Sequence, residues 1–119
     1  MLIVEDEATI LELYSTIFGF KKFEVLCVRD GEEALRIARE DNPDIILLDI
    51  QIPKINGMEV CRLIKSDPAM SHTKVLMLSG MSQHFDLQKA LEAGADAYIT
   101  KPFSSTTIVG KAAELLGNN

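Results

Sequence analysis

Basic side chains are in short supply in this sequence: 12 lysines and arginines face 18 aspartates and glutamates, for a formal charge of -6 and a pI near 4.8. Affinity for nucleic acid rests mainly on cations that neutralise phosphates, so this balance argues against direct nucleic-acid binding. A bound cation or a basic partner suits it better. Cysteine is scarce as well. Cys27 and Cys61 have neither C-x-x-C spacing nor a disulfide framework around them, and both are read as reduced core residues. Long hydrophobic runs are missing: Ile45-Ile46-Leu47-Leu48 is closed off by Asp44 and Asp49, far short of the roughly eighteen residues that suggest a membrane span. The start of the chain meets Glu5-Asp6-Glu7 at once, which is not how a signal peptide begins, so the expected location is cytoplasmic, with no membrane partner. Ser79 lacks the G-x-S-x-G elbow of hydrolases, and no glycine-rich phosphate loop follows the first apolar run. Repeats, low-complexity stretches and linkers are also missing before the final residues, so the reading is one domain over 1–117, with 118–119 a tail or the start of a linker.

What is present is ordinary globular composition, 47% apolar and 25% charged, arranged in a regular alternation. Short apolar runs at Leu2–Val4, Phe23–Val28, Ile45–Leu48, Val75–Leu78 and Ala97–Thr100 read as strands, and their near-continuous apolar character predicts burial on both faces. Segments of helical period lie between them. Ile10, Leu13, Tyr14 and Ile17 form one stripe of a first helix. Asp30 with Glu33 caps a second that Asn42-Pro43 ends, and Asn56-Gly57 opens a third that Asp67-Pro68 stops. Leu87, Ala90 and Leu91 mark a fourth ending at Gly94, and Ser104 or Ser105 caps a fifth carrying Ile108, Ala112 and Leu115. Five βα units with right-handed crossovers predict an α/β, doubly wound (βα)5 sandwich on a parallel sheet of order 2-1-3-4-5.

In that order strands one and three meet at the switch point, where such sheets bind ligands beyond the carboxyl ends of their strands. The residues falling there are Glu5 and Asp6, Asp49, Ser79 and Lys101. Three carboxylates in one crevice repel one another unless a cation intervenes, and oxygen-only ligands select a hard metal such as Mg²⁺. A carboxylate beside that ion serves as a nucleophile towards phosphorus, giving an acyl phosphate, while Lys101 and the Ser79 hydroxyl offer contacts to phosphoryl oxygens.

These residues carry a resemblance. Val4-Glu5-Asp6-Glu7, Leu48-Asp49-Ile50-Gln51-Ile52-Pro53 running on to Asn56-Gly57, then Leu78-Ser79-Gly80, and Ala97-Tyr98-Ile99-Thr100-Lys101-Pro102-Phe103 together resemble the receiver domain of response regulators, over nearly the whole chain. The resemblance implies the flavodoxin-like fold of the chemotaxis regulator, for which the order 2-1-3-4-5 is already known. It implies that Asp49 is the phosphoacceptor, Asp6 a direct Mg²⁺ ligand (Mn²⁺ being a substitute), Glu5 a ligand through water, and Gln51 a ligand through its backbone carbonyl. Ser79 and Lys101 would contact the phosphoryl group, Ser79 and Tyr98 would form the switch, and a cis peptide would precede Pro102. Gln51 and Met81 would tune phosphoryl lifetime. The donor would be a histidine kinase or a histidine phosphotransfer protein, and an output domain or effector protein would read the face of helix four, strand five and helix five. The chain would be a monomer or weak homodimer and not an enzyme, beyond Mg²⁺-dependent self-phosphorylation and self-dephosphorylation. Glu5 replaces the commoner aspartate and Ile52 the usual methionine, both preserving the character of the site. The first strand begins almost at Met1, where similar domains often have another residue or two, so the chain is expected to be trimmed.

Taken one at a time, the same residues have plainer explanations. Glu5 and Asp6 suit a solvated helix start, Asp49 a turn, Lys101 the surface, and Tyr98 an edge strand. His72 and His84 lack metal-ligand spacing and read as surface residues, and Met58, Met77 and Met81 as packing and rim residues. Only the joint placement favours chemistry. The alternatives are a phosphorylation-independent receiver-like protein-binding module and, more weakly, a free-standing phosphatase; Asp49-Ile50-Gln51 lacks the second aspartate of haloacid-dehalogenase-like phosphatases.

Overall fold

Strands and helices alternate along the chain: β1 (Leu2–Val4), α1 (Ala8–Phe20), β2 (Leu26–Val28), α2 (Gly31–Asp41), β3 (Ile45–Asp49), α3 (Gly57–Lys65), a 3-10 turn (Pro68–Met70), β4 (Lys74–Ser79), α4 (Asp86–Glu92), β5 (Ala97–Thr100) and α5 (Ser105–Leu115). The structure is a computed structural model, and it describes residues 1–20, 23–79, 86–101 and 103–117. Gly80, Met81, His84, Pro102 and the 118–119 tail, on which several of the expectations above fall, lie outside the described residues.

The strands form one parallel sheet in the order β2-β1-β3-β4-β5, as the alternation predicts. Because side chains alternate across a strand, each central strand feeds two cores. Leu2, Val4, Ile46, Leu48, Val75 and Met77 face α2, α3 and α4, against Ala34, Leu35, Ala38, Val60, Cys61, Ile64 and Ala90. Ile3, Ile45, Leu47, Leu76, Leu78 and Ile99 face α1 and α5, against Leu11, Tyr14, Phe18, Ile108 and Ala112. Helices on both faces of a parallel sheet define the doubly wound α/β architecture.

The helix ends follow their capping residues. Asp30 accepts from Glu33 N at 2.8 Å, Asn56 from Glu59 N at 3.1 Å, and Ser104 from Thr107 N at 3.1 Å, each satisfying an amide that the helix leaves unpaired. Asn42 closes α2 in the left-handed region at φ 49, donating its amide to the Ala38 carbonyl. Gly94 follows α4 at φ 93, where a β-carbon is disfavoured.

The sheet edge corrects two expectations. β2 is shorter than the run Phe23–Val28, and Leu26 and Cys27 are exposed. An edge strand has a neighbour on one side only, so apolar residues there need not be covered, and Cys27 is no core residue. Cys61 is buried as expected, with its thiol pushed up to about 12 by burial. In α1 the inward row is Leu11, Tyr14 and Phe18, while Leu13 is 56% exposed; Ile10 and Ile17 flank the row, half-buried. Both rows have helical spacing, and only the angle at which α1 meets the sheet chooses between them.

Candidate functional site

The sheet register brings the chemistry to one edge. Val4 pairs with Leu48, Asp49 with Leu78, and Ser79 with Thr100, so the residues that end or follow β1, β3, β4 and β5 emerge side by side. Glu5 N still donates to the Val28 carbonyl at 3.2 Å, and Lys101 N donates to the Ser79 carbonyl at 2.6 Å, which extends the pairing past the last strand residues. Glu5, Asp49 and Ser79 are the buried polar residues at this edge, and a further one, Thr73, lies at the opposite edge with its hydroxyl bonded to the Pro43 carbonyl.

Lys101 joins the acids. Its Nζ lies 2.5 Å from Asp49 Oδ2 and 3.5 Å from Glu5 Oε1. Asp49 Oδ1 accepts from Gln51 N at 2.9 Å, so the carboxylate is oriented by an amide on one oxygen and an ammonium on the other. Glu5 Oε2 accepts from Glu7 N at 3.0 Å, while Oε1, buried, finds no hydrogen-bond partner among the described residues and has only the longer ion pair to Lys101. Burial pushes Glu5 up to about 7; the Glu7 amide opposes this, the Asp49 side chain adds to it, and Lys101 offsets part of it. For Lys101 burial pulls downward, but the Asp49 carboxylate outweighs it and the net shift is upward.

Two residues that the sequence did not assign to the site frame it. Tyr14 on α1 stacks on Phe103 with ring centroids 6.2 Å apart and 25° between planes, tying α1 to the segment after Lys101. Its phenol is raised to about 12 by burial. Its helical period announced a core residue, and nothing in it announced a ring partner. Arg29, after β2, donates through Nε and Nη2 to the Asp6 carbonyl at 3.1 and 2.6 Å. Nothing in its sequence surroundings, beside Asp30, marked it for the site.

Glu5, Asp49 and Lys101 are thus assembled from three strand ends, and Ser79 is fully buried at the end of β4. Asp6 is half-buried beside Glu5, held through its backbone. Among the described residues no three acidic, histidine or cysteine side chains stand close enough to form a metal cluster. The site nevertheless fits a hard divalent cation, because its donors are oxygens and Glu5 Oε1 is a buried carboxylate oxygen lacking a hydrogen bond. Tyr98 is half-buried on β5, paired with Met77 and packed on the core under α3 and α4, and His72 is exposed.

A doubly wound sheet with an acid–lysine pair at its switch point defines a class of signalling domain. The response regulator receiver domain model matches residues 1–113, and the chain belongs to that family. Among its relatives is the alkaline phosphatase synthesis transcriptional regulatory protein PhoP of Bacillus subtilis, 37% identical over 98% of this chain. The chain spans about half the length of that relative, 48%. The polar-differentiation response regulator DivK of Brucella ovis is 33% identical over 99% of this chain and 96% of its own. The receiver domain of a histidine kinase from Syntrophus aciditrophicus superposes with a TM-score of 0.91 at 34% identity, covering 98% of this chain and 88% of that one. That of a sensor histidine kinase of Pseudomonas aeruginosa, with a magnesium ion coordinated in its active-site cleft, gives 0.89 at 25% identity, covering 98% and 96%. Receiver domains are the signalling switches of two-component systems. No helix of the described residues is long and apolar enough to cross a membrane.

Proposed function

We propose that this domain is a phosphoacceptor of a two-component phosphorelay, with Asp49 as the residue that takes the phosphoryl group from a histidine kinase or a histidine phosphotransfer protein. The observation that carries this reading is the 2.5 Å contact between Lys101 Nζ and Asp49 Oδ2, made across 52 residues of sequence at the switch point of the sheet. In the transfer, the P–N bond of the donor's phosphohistidine breaks and a P–O bond to Asp49 forms; the electron pair of the broken bond stays on the imidazole nitrogen.

Each neighbour has a part in that step. The Gln51 amide on Oδ1 holds the carboxylate in one orientation, and the low exposure of Asp49 keeps bulk water from it. Lys101 stands where charge accumulates on the phosphoryl oxygens, and Ser79, at the end of the neighbouring strand, is the hydroxyl that would follow the phosphoryl group. Asp6, Asp49 and the Gln51 carbonyl would hold Mg²⁺ directly, with Glu5 through water. When bound, that cation supplies charge neutralisation between the carboxylates and the incoming phosphoryl group. Phosphorylation then biases an existing two-state equilibrium that involves Ser79 and Tyr98, and the face of α4, β5 and α5 presents the result to an output domain or effector. The work is done in the cytoplasm, without direct contact to nucleic acid.

Incubation with acetyl phosphate and Mg²⁺, followed by intact-mass measurement, tests the reading. The expected result is a gain of one phosphoryl group that Asp49→Asn abolishes. An unmodified mass, or modification that survives Asp49→Asn, would point to a binding module that works without phosphorylation.

A further inference from the structure

The turn between β2 and α2 touches both loops that carry the acidic residues, although it contributes no acid to the site itself. On one side the Arg29 guanidinium forks onto the Asp6 carbonyl with Nε at 3.1 Å and Nη2 at 2.6 Å. A carbonyl oxygen has two lone pairs, and the planar guanidinium presents two parallel donors in fixed geometry, which a lysine cannot reproduce. On the other side Gly31 N donates to the Pro53 carbonyl at 3.1 Å, and Asp30 Oδ2 lies 3.7 Å from Lys54 Nζ. The last contact is half in solvent and counts for little alone. Close approach fixes the geometry more firmly: a β-carbon on Gly31 would overlap the Ile55 backbone carbonyl. Lys54 itself sits at φ 70, a conformation disfavoured for any residue with a β-carbon, so the loop after β3 is held in a shape it would not choose alone.

The ladder between β1 and β2 ends with Glu5 N on the Val28 carbonyl. Beyond it, Arg29 holds the backbone of Asp6. We infer that Arg29-Asp30-Gly31 is a positioning clamp that sets the acidic loop after β1 against the loop after β3, and that Arg29 is the residue through which it orients Asp6. The inference rests on the proposed function for what those loops hold. Arg29 is a positioning residue, acting through the backbone of Asp6 on the divalent cation that Asp6 and Asp49 would hold.

Titration of the whole chain with Mg²⁺ alone, followed by calorimetry, reads this directly, alongside thermal unfolding in cation-free buffer. Arg29→Ala is expected to weaken Mg²⁺ binding about tenfold, the scale at which residues behind a metal ligand act. Arg29→Lys, which keeps the charge but not the fork, should recover part of the loss. The cation-free Tm should stay near that of the wild type in both. Unchanged or tighter binding in Arg29→Ala would overturn the inference, since a guanidinium that acted only as a nearby positive charge would repel the cation. Equal loss in both variants together with a matching fall in cation-free Tm would also overturn it, as the mark of a merely structural contact. Asp6→Asn separates the two readings: if wild type binds no Mg²⁺, or Asp6→Asn binds it as well as wild type does, the proposed metal site fails rather than the clamp alone.

Discussion

At the scale of single residues, Glu5 shows how the fold sets chemistry that its side chain does not have in water. It is 2% exposed, and burial, reinforced by Asp49 and opposed by the Glu7 amide and Lys101, raises it from 4.5 to about 7. A carboxyl group whose folded value lies above its unfolded one binds protons more tightly when folded. Its contribution to stability is therefore fully present below pH 4.5 and is lost as pH rises through about 7. The displacement corresponds to about 3 kcal/mol as an upper figure. In cation-free buffer, Glu5→Gln should gain stability relative to wild type across that window, measured as urea midpoints at several pH values. Parallel pH profiles for the two proteins would show that Glu5 is not the group responsible. The position of Glu5 beside Asp49 and Lys101 was legible from its place after the first strand; its raised proton affinity was not, because that depends on what covers it.

At the scale of elements, the loop between β3 and α3 is held to the end of its own strand. Gly57 N donates to the Ile50 carbonyl at 2.8 Å, and a β-carbon on Gly57 would overlap the Asp49 carbonyl and crowd Ile50 Cα. Gly57→Ala should cost about 1–3 kcal/mol, because backbone rather than a flexible side chain must give way. It should also slow labelling of Asp49 by acetyl phosphate, since the displaced backbone carries that residue. A β-carbon on Gly110, inside α5, would meet nothing within 4 Å among the described residues beyond its own helix backbone and chain neighbours. Gly110→Ala should therefore stabilise the protein by roughly 0.5–1 kcal/mol through helix propensity alone. Urea denaturation of the pair checks both signs. Asn56-Gly57 reads in the sequence as a helix start, and the Asn56 cap agrees with it; the close approach of Gly57 to the end of the strand that carries Asp49 does not read there.

At the scale of the whole molecule, one sheet serves two apolar layers, so neither layer has a structure of its own to keep when the other is lost. Ile46 and Leu47 are fully buried neighbours on β3 that point to opposite layers. Ile46→Ala and Leu47→Ala should each cost about 2–5 kcal/mol. The chain has two tyrosines and no tryptophan, and the tyrosines report on opposite layers: Tyr14 lies in the one under α1 and α5, Tyr98 packs on the other. With one of them replaced by phenylalanine in turn, the remaining fluorescence should give the same urea midpoint for either layer, and both alanine variants should shift the two signals together. Separate midpoints would mean that the layers unfold independently.

The sequence by itself determined the order of elements, the parallel sheet, the caps that start α2, α3 and α5, and the set Glu5, Asp49, Ser79 and Lys101 at one edge. Those follow from local rules: hydrophobic period, capping residues, and the handedness of crossovers. Which row of α1 faces inward, why Cys27 is exposed, how Arg29 and Tyr14 reach the site, and the raised value of Glu5 were decided only by tertiary structure. Each of these depends on the angle, distance or cover supplied by a segment remote in sequence, and pairwise contact across folded space leaves no periodic trace in the chain.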